Sequence, residues 1–133
     1  MAADKSGTLP GVSSLDLASE LAAFQQHRPW PSGVHSKSLF KADDLRLLLI
    51  AMESGAKMQE HHADGTVYIH ALQGTLCVHI GEQSHVLHAG QILTVAPGIL
   101  HDVEAREDAV CLLTIAWPGR GKMQSLPHRG YGL

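Results

Sequence analysis

The stretch GAKMQEHHADGTVYIHALQGTLCVHIGEQSHVLHAGQILTVAPGILH, residues 55–101, alternates short apolar runs with glycine-bearing turns. That is how strands bounded by tight turns are written. Seven of the ten histidines of the chain lie between His61 and His101. Imidazole is the commonest metal ligand among side chains and titrates near neutrality. Their concentration in a small all-β block therefore points to a metal pocket inside a barrel, and the question becomes which imidazoles face inward.

Within and beyond this stretch the pattern predicts strands over Lys57–His61, Thr66–Leu72, Leu76–Ile80, Ser84–His88, Ile92–Val95, His101–Ala105 and Ala109–Ala116. Upstream, HSKSLFKADDLRLLLIAMESG reads as two strands around a turn at Lys41 to Asp44. Its second half, Leu45–Met52, is almost continuously apolar, as a strand covered on both faces must be, although a buried helix shares that signature. Many short strands at regular spacing mean a sandwich or barrel. Further upstream, Leu15, Ala18, Leu21, Ala22 and Phe24 recur at helical spacing. Ser13 or Ser14 offers an N-cap and Asp16 an acid in the first turn, so a short helix is expected over 14–26. Pro29 and Pro31 end it, and Trp30 between them is expected to anchor the connection onto the core.

Length and composition set the frame. With 133 residues the chain is expected to be one domain over 13–117, flanked by tails at 1–12 and 118–133. Hydrophobic residues make up 44% and charged residues 17%, the balance of a globular protein. A net charge of −3, with basic residues few and scattered, leaves no nucleic-acid footprint. No apolar run reaches bilayer-spanning length and the start lacks the order of a secretory signal, so a cytoplasmic protein with no membrane partner is expected. Cys77 and Cys111 lack CxxC spacing and are expected to be buried reduced thiols.

The central block resembles the cupin superfamily, whose first motif has the form G-x5-H-x-H-x3,4-E-x6-G. Here it falls on Gly55, His61, Ala63 in the second histidine slot, Val67 in the glutamate slot, and Gly74. The second motif falls on Gly90, Pro97, Gly98 and His101, with Ala105 in the asparagine slot. The likeness extends over about Ser38 to Trp117. It implies an all-β double-stranded β-helix, the jelly-roll barrel, here with a short N-terminal α-helix, and a metal held by the motif histidines.

Two of the four customary metal positions are thus filled by Ala63 and Val67, and a divalent site needs three or four converging donors. His70 is the candidate replacement. In TVYIHAL, residues Thr66, Tyr68 and His70 share one face of the strand, and Val67, Ile69 and Ala71 the other. With the polar face inward, His61, His70 and His101 form a three-histidine site for Fe, Zn, Ni, Mn or Cu. In the register that the family implies, Val67 and the apolar face point inward instead. A bulge at Ala63 to Gly65 would choose between them, because a slip of one residue exchanges the faces. His62, Tyr68 and His79 are further candidates for ligand or pocket positions. His85 and His88 are expected at solvent or a subunit contact, and His27, His35 and His128 in solvated linkers or the tail.

Two functions follow as expectations. One is a metal-dependent, dioxygenase-like enzyme acting on a small polar molecule bound in the barrel mouth. The other is a small-ligand-binding protein whose metal site has eroded, without turnover. A homodimer is expected in either case, as these barrels pair through edge strands and Leu45–Met52 would suit such a contact.

Overall fold

A computed structural model describes residues 10–118. The expected tails therefore lie outside the described residues, except for positions 10–12 and 118, as does His128. The elements run α1 (Leu17–Gln25), a single 3₁₀ turn (Pro31–Gly33), then β1 (Val34–Lys41), β2 (Leu45–Met52), β3 (Lys57–His61), β4 (Thr66–Gln73), β5 (Thr75–Ile80), β6 (Gln83–His88), β7 (Ile92–Val95), β8 (His101–Ala105) and β9 (Ala109–Ala116). Five of the strands end where the apolar pattern ends. β4, β5 and β6 each extend by one residue into a turn. No helix among the described residues is long and apolar enough to cross a membrane.

The strands form two antiparallel sheets, ordered β1-β2-β9-β4-β7 and β3-β8-β5-β6. Between them lies one core, to which β2 contributes Ile50 and Met52, β4 contributes Val67, Ile69 and Ala71, β5 contributes Leu76 and Val78, and β8 contributes Val103 and Ala105. Every second residue of each strand is thus used, the period-2 rule of a half-buried strand. The expected jelly-roll barrel is the fold.

β2 departs from that alternation because a second apolar cluster covers its outer face. Leu49 and Ala51 pack there with Phe24, Trp30 and Val110, and with Leu17, Leu21, Leu39 and Leu72 at the margin. Its near-continuous hydrophobicity answers to two layers, sheet below and helix above. The same arrangement removes the edge contact expected of Leu45–Met52. β2 is hydrogen-bonded to β1 on one side and β9 on the other, so no free backbone remains along it.

α1 is capped by Asp16, whose Oδ1 accepts from Ala18 N at 3.1 Å and Ser19 N at 3.4 Å. The cap therefore falls two residues beyond Ser14 and three beyond Ser13, and the helix starts at Leu17 rather than at 14. A carboxylate at this position satisfies the otherwise orphaned amides of the first turn. Hydrogen bonds from the Ser19 hydroxyl and backbone hold the Asp16 carboxyl below its usual range. Trp30 is the expected anchor: it is buried, and its indole Nε1 donates to Phe24 O at 3.3 Å.

Candidate ligand site at the barrel mouth

The site begins with an irregularity in β3. Lys57 pairs with Glu104 and Met58 with Val103, but the next pair is His61 with His101. Three residues on β3 thus span two on β8, which is a β-bulge at Gln59-Glu60. Its effect is to put both Met58 and His61 on the inner face, with the two consecutive polar residues left to solvent. His101, Val103 and Ala105 are the inward residues of β8 and all are buried. His61 and His101 consequently stand side by side on one rung, ring centroids 4.5 Å apart and planes inclined by 57°. The bulge lies upstream of Ala63 to Gly65, where the sequence led us to look for it. The signal for it was present: polar Gln59 and Glu60 in succession, between residues three apart that both belong inside.

Both rings are fixed in the same way. His61 Nδ1 lies 2.6 Å from Gln59 O, and His101 Nδ1 lies 3.0 Å from Ile99 O. A carbonyl oxygen only accepts, so Nδ1 is the donor in each contact, and in the neutral form of each ring the lone pair lies on Nε2. No partner among the described residues engages either Nε2. His101 is 2% exposed while His61 is open to solvent, so the pair reaches from the interior to the mouth.

The opposite wall is supplied by one row of the larger sheet. Val67 pairs with Ile115 on β9 and with Val95 on β7, and all three join the inner core. Ala63 packs against the same core and ties the two motif loops together by accepting from Gly98 N at 2.8 Å. Beneath this row the interior is lined by apolar side chains. Cys111, also inward, has its thiol pushed by burial from 9.0 up to about 12.

Val67, Ile69 and Ala71 thus face the core, and strand alternation puts Tyr68 and His70 on the outside of β4. His70 is partly buried there, beside Leu112 and Ile92, and Tyr68 is 44% exposed. The structure therefore brings together His61 and His101 and does not bring His70 to them. The physical reason is burial: the reverse register would turn Val67, Ile69 and Ala71 out to water. His62 is exposed just beyond the bulge. His79 sits on the outer face of the smaller sheet, with Nδ1 at 3.0 Å from Ser84 Oγ and Nε2 at 3.2 Å from Glu104 Oε1. Neither reaches the pair. Cys77 and Cys111 are free and buried, as their surroundings in the sequence suggest.

Cupin proteins often bind metals, so the fit of these residues to a metal can be tested. Two imidazole Nε2 atoms are available, but Ala63 and Val67 stand where two further donors would be needed. Among the described residues no group of three histidine, cysteine, aspartate or glutamate side chains is placed to hold an ion. Among the described residues, a site of three protein donors does not fit. What the pair does offer is two directed acceptors against an apolar wall.

Comparison with known proteins agrees with this architecture. A cupin-2 domain protein from Shewanella frigidimarina shares 20% identity at a TM-score of 0.63, covering 77% of this chain and 93% of its own. A cupin superfamily protein from Desulfitobacterium hafniense shares 20% identity at 0.62, covering 70% and 94%. KdgF from a Halomonas species shares 18% identity at 0.61, covering 74% and 94%. At such identities the likeness is one of fold. Comparison with curated protein sequences gives no match. The cupin domain family model, in contrast, matches residues 48–117, more than half of the chain and all of the strands that build the site, and on this the chain belongs to the cupin domain family.

Proposed function

We propose that this chain binds a small polar molecule at the barrel mouth through the paired imidazoles of His61 and His101. The observation that carries the reading is the matching setting of the two rings, each with Nδ1 within hydrogen-bond distance of a backbone carbonyl oxygen. Each Nδ1–H is held by a backbone carbonyl, which leaves two Nε2 lone pairs on one rung as acceptors for ligand O–H or N–H groups. An apolar wall with a few convergent polar atoms is the usual construction of a small-molecule site.

A metal-centred reading has one observation in its favour, since an unengaged imidazole Nε2 is also a metal ligand. A site for Fe, Zn, Ni, Mn or Cu would need its remaining donors from outside the pair, because His70 faces away. The dioxygenase-like activity expected of a three-histidine centre therefore has less support than ligand binding.

Two measurements test the proposal. A set of small alcohols, amides and carboxylic acids is screened by ligand-observed NMR against the parent, His101→Ala and His70→Ala. Binding should weaken by about tenfold or more in His101→Ala, the loss expected for a directed hydrogen bond in a partly buried site, and stay unchanged in His70→Ala. Equal affinity in the parent and His101→Ala would overturn the proposal. Elemental analysis of untagged protein decides the second reading: near-stoichiometric metal that disappears in His61→Ala would establish it.

A further inference from the structure

β2 opens with an arginine in an otherwise apolar run. Arg46 pairs with Ile115 on β9, and Ile115 pairs with Val67 on β4, which pairs with Val95 on β7. These residues form a single cross-strand row, and residues directly opposite on paired strands project to the same face. Val67, Val95 and Ile115 belong to the inner core. Leu48, Ile50 and Met52, in phase with Arg46 along β2, do so as well. Arg46 is therefore an inward residue, in the same row as Val67, at the end of the barrel where β3 ends and β8 begins.

The guanidinium is a permanent cation. Arg46 Nε is buried and has no hydrogen-bond partner among the described residues, and none of their ion pairs includes Arg46. A buried donor on a cation, left without a partner, is unfavourable. The contrast lies across the sheet. An open cleft of about 150 Å³ under the Pro29–Pro31 connection is also lined by an arginine, Arg28. That residue is already paired with Asp108 at 2.8 Å and rests on the Trp30 ring. Arg28 has its partners among the described residues, and the Arg46 Nε has none there.

We infer that Arg46 is the anion-recognising residue of the barrel mouth, and that the natural ligand is a small carboxylic acid. A carboxylate pairs with a guanidinium through two parallel N–H···O bonds and neutralises its charge. The apolar row of Ile115, Val67 and Val95 receives a short hydrocarbon body. The His61 and His101 Nε2 atoms receive a hydroxyl, enol or other proton-donating group of the same molecule. This assignment rests on the proposed ligand-binding role of the histidine pair and adds the chemical class.

The experiment titrates the parent chain, at fixed ionic strength, with lactate, pyruvate and 3-hydroxybutyrate, and with the neutral amide of each. Affinity is read by ligand-observed NMR and the arginine Nε–H resonances by ¹⁵N correlation. The acids should bind about tenfold or more tightly than their amides, as charge-assisted bidentate pairing predicts. They should also shift one arginine Nε–H signal that is missing from Arg46→Gln. In Arg46→Gln the acids should fall to the affinity of the amides, and Arg46→Lys, which keeps the charge without the fork, should lie between. Thermal unfolding confirms that both variants are folded. Acids and amides bound alike, or an Arg46→Gln variant with undiminished acid affinity, would overturn the assignment. If amides bind and are lost in His101→Ala while acids gain nothing from Arg46, the ligand-binding role stands and the carboxylate assignment falls. If no probe binds the parent, both fall.

Discussion

Gly74 shows how a single residue can be required by geometry. Its φ is +74°, in the left-handed region, and an added Cβ would collide with the Asp108 carbonyl oxygen. Gly90 has φ +92° with open space around it. Gly74→Ala should therefore cost about 3 kcal/mol of stability, and Gly90→Ala about 1 kcal/mol from the backbone alone. Urea denaturation of the two variants measures the difference, and equal losses would mean that the contact at Gly74 relaxes freely. Cys111 makes a prediction about pH. Burial raises its thiol from 9.0 to about 12, so the unfolded chain releases this proton first. The contribution is fully present below pH 9 and is lost as pH rises towards 12, at no more than about 1.4 kcal/mol per unit. Cys111→Ala should have a flatter alkaline stability profile than the parent, compared by chemical denaturation from pH 8 to 11.

Among the elements, the helix and the Pro29–Pro31 connection depend on one side chain more than on any other. Trp30 is buried against Phe24, Leu49, Ala51 and Val110 and bonds back to the helix at Phe24 O. Trp30→Ala removes that plug, at a cost of about 3–5 kcal/mol for a large buried aromatic. Amide exchange should accelerate first in α1, with β4 and β9 still protected, since those strands are held by pairing on both sides. Uniform acceleration would show instead that the outer cluster is part of the main cooperative unit. The element readings also show where pattern suffices. β2, β3, β7, β8 and β9 were legible to the residue because apolar alternation and glycine turns carry both ends. The helix start was not, because Ser13, Ser14 and Asp16 are all competent caps and packing of Leu17, Leu21 and Phe24 chose among them.

At the scale of the whole molecule, the β3–β8 pairing of the smaller sheet brings His61 and His101 onto one rung, and the register of the larger sheet leaves His70 outside. Substitution should follow that division. His101→Ala should abolish or strongly weaken binding at the mouth, as set out above. His70→Ala, partly buried beside Leu112 and Ile92, should change stability by less than about 1 kcal/mol and binding not at all. A ligand that binds the native mouth raises the unfolding temperature in proportion to its occupancy. That rise, measured by thermal shift, should persist in His70→Ala and vanish in His101→Ala.

The amino-acid pattern by itself determined the all-β class, the boundaries of most strands, the anchoring role of Trp30 and the placing of His61 and His101 in cupin motif positions. These are local facts, set by period, turn residues and spacing. Tertiary structure alone decided which face of β4 looks inward and that Arg46 stands in the inner row beside Ile115 and Val67. Each of those depends on the register between strands distant in the chain. A slip of one residue exchanges inside for outside, and the register is chosen by the summed burial of Val67, Ile69 and Ala71 with their partners rather than by any residue read alone.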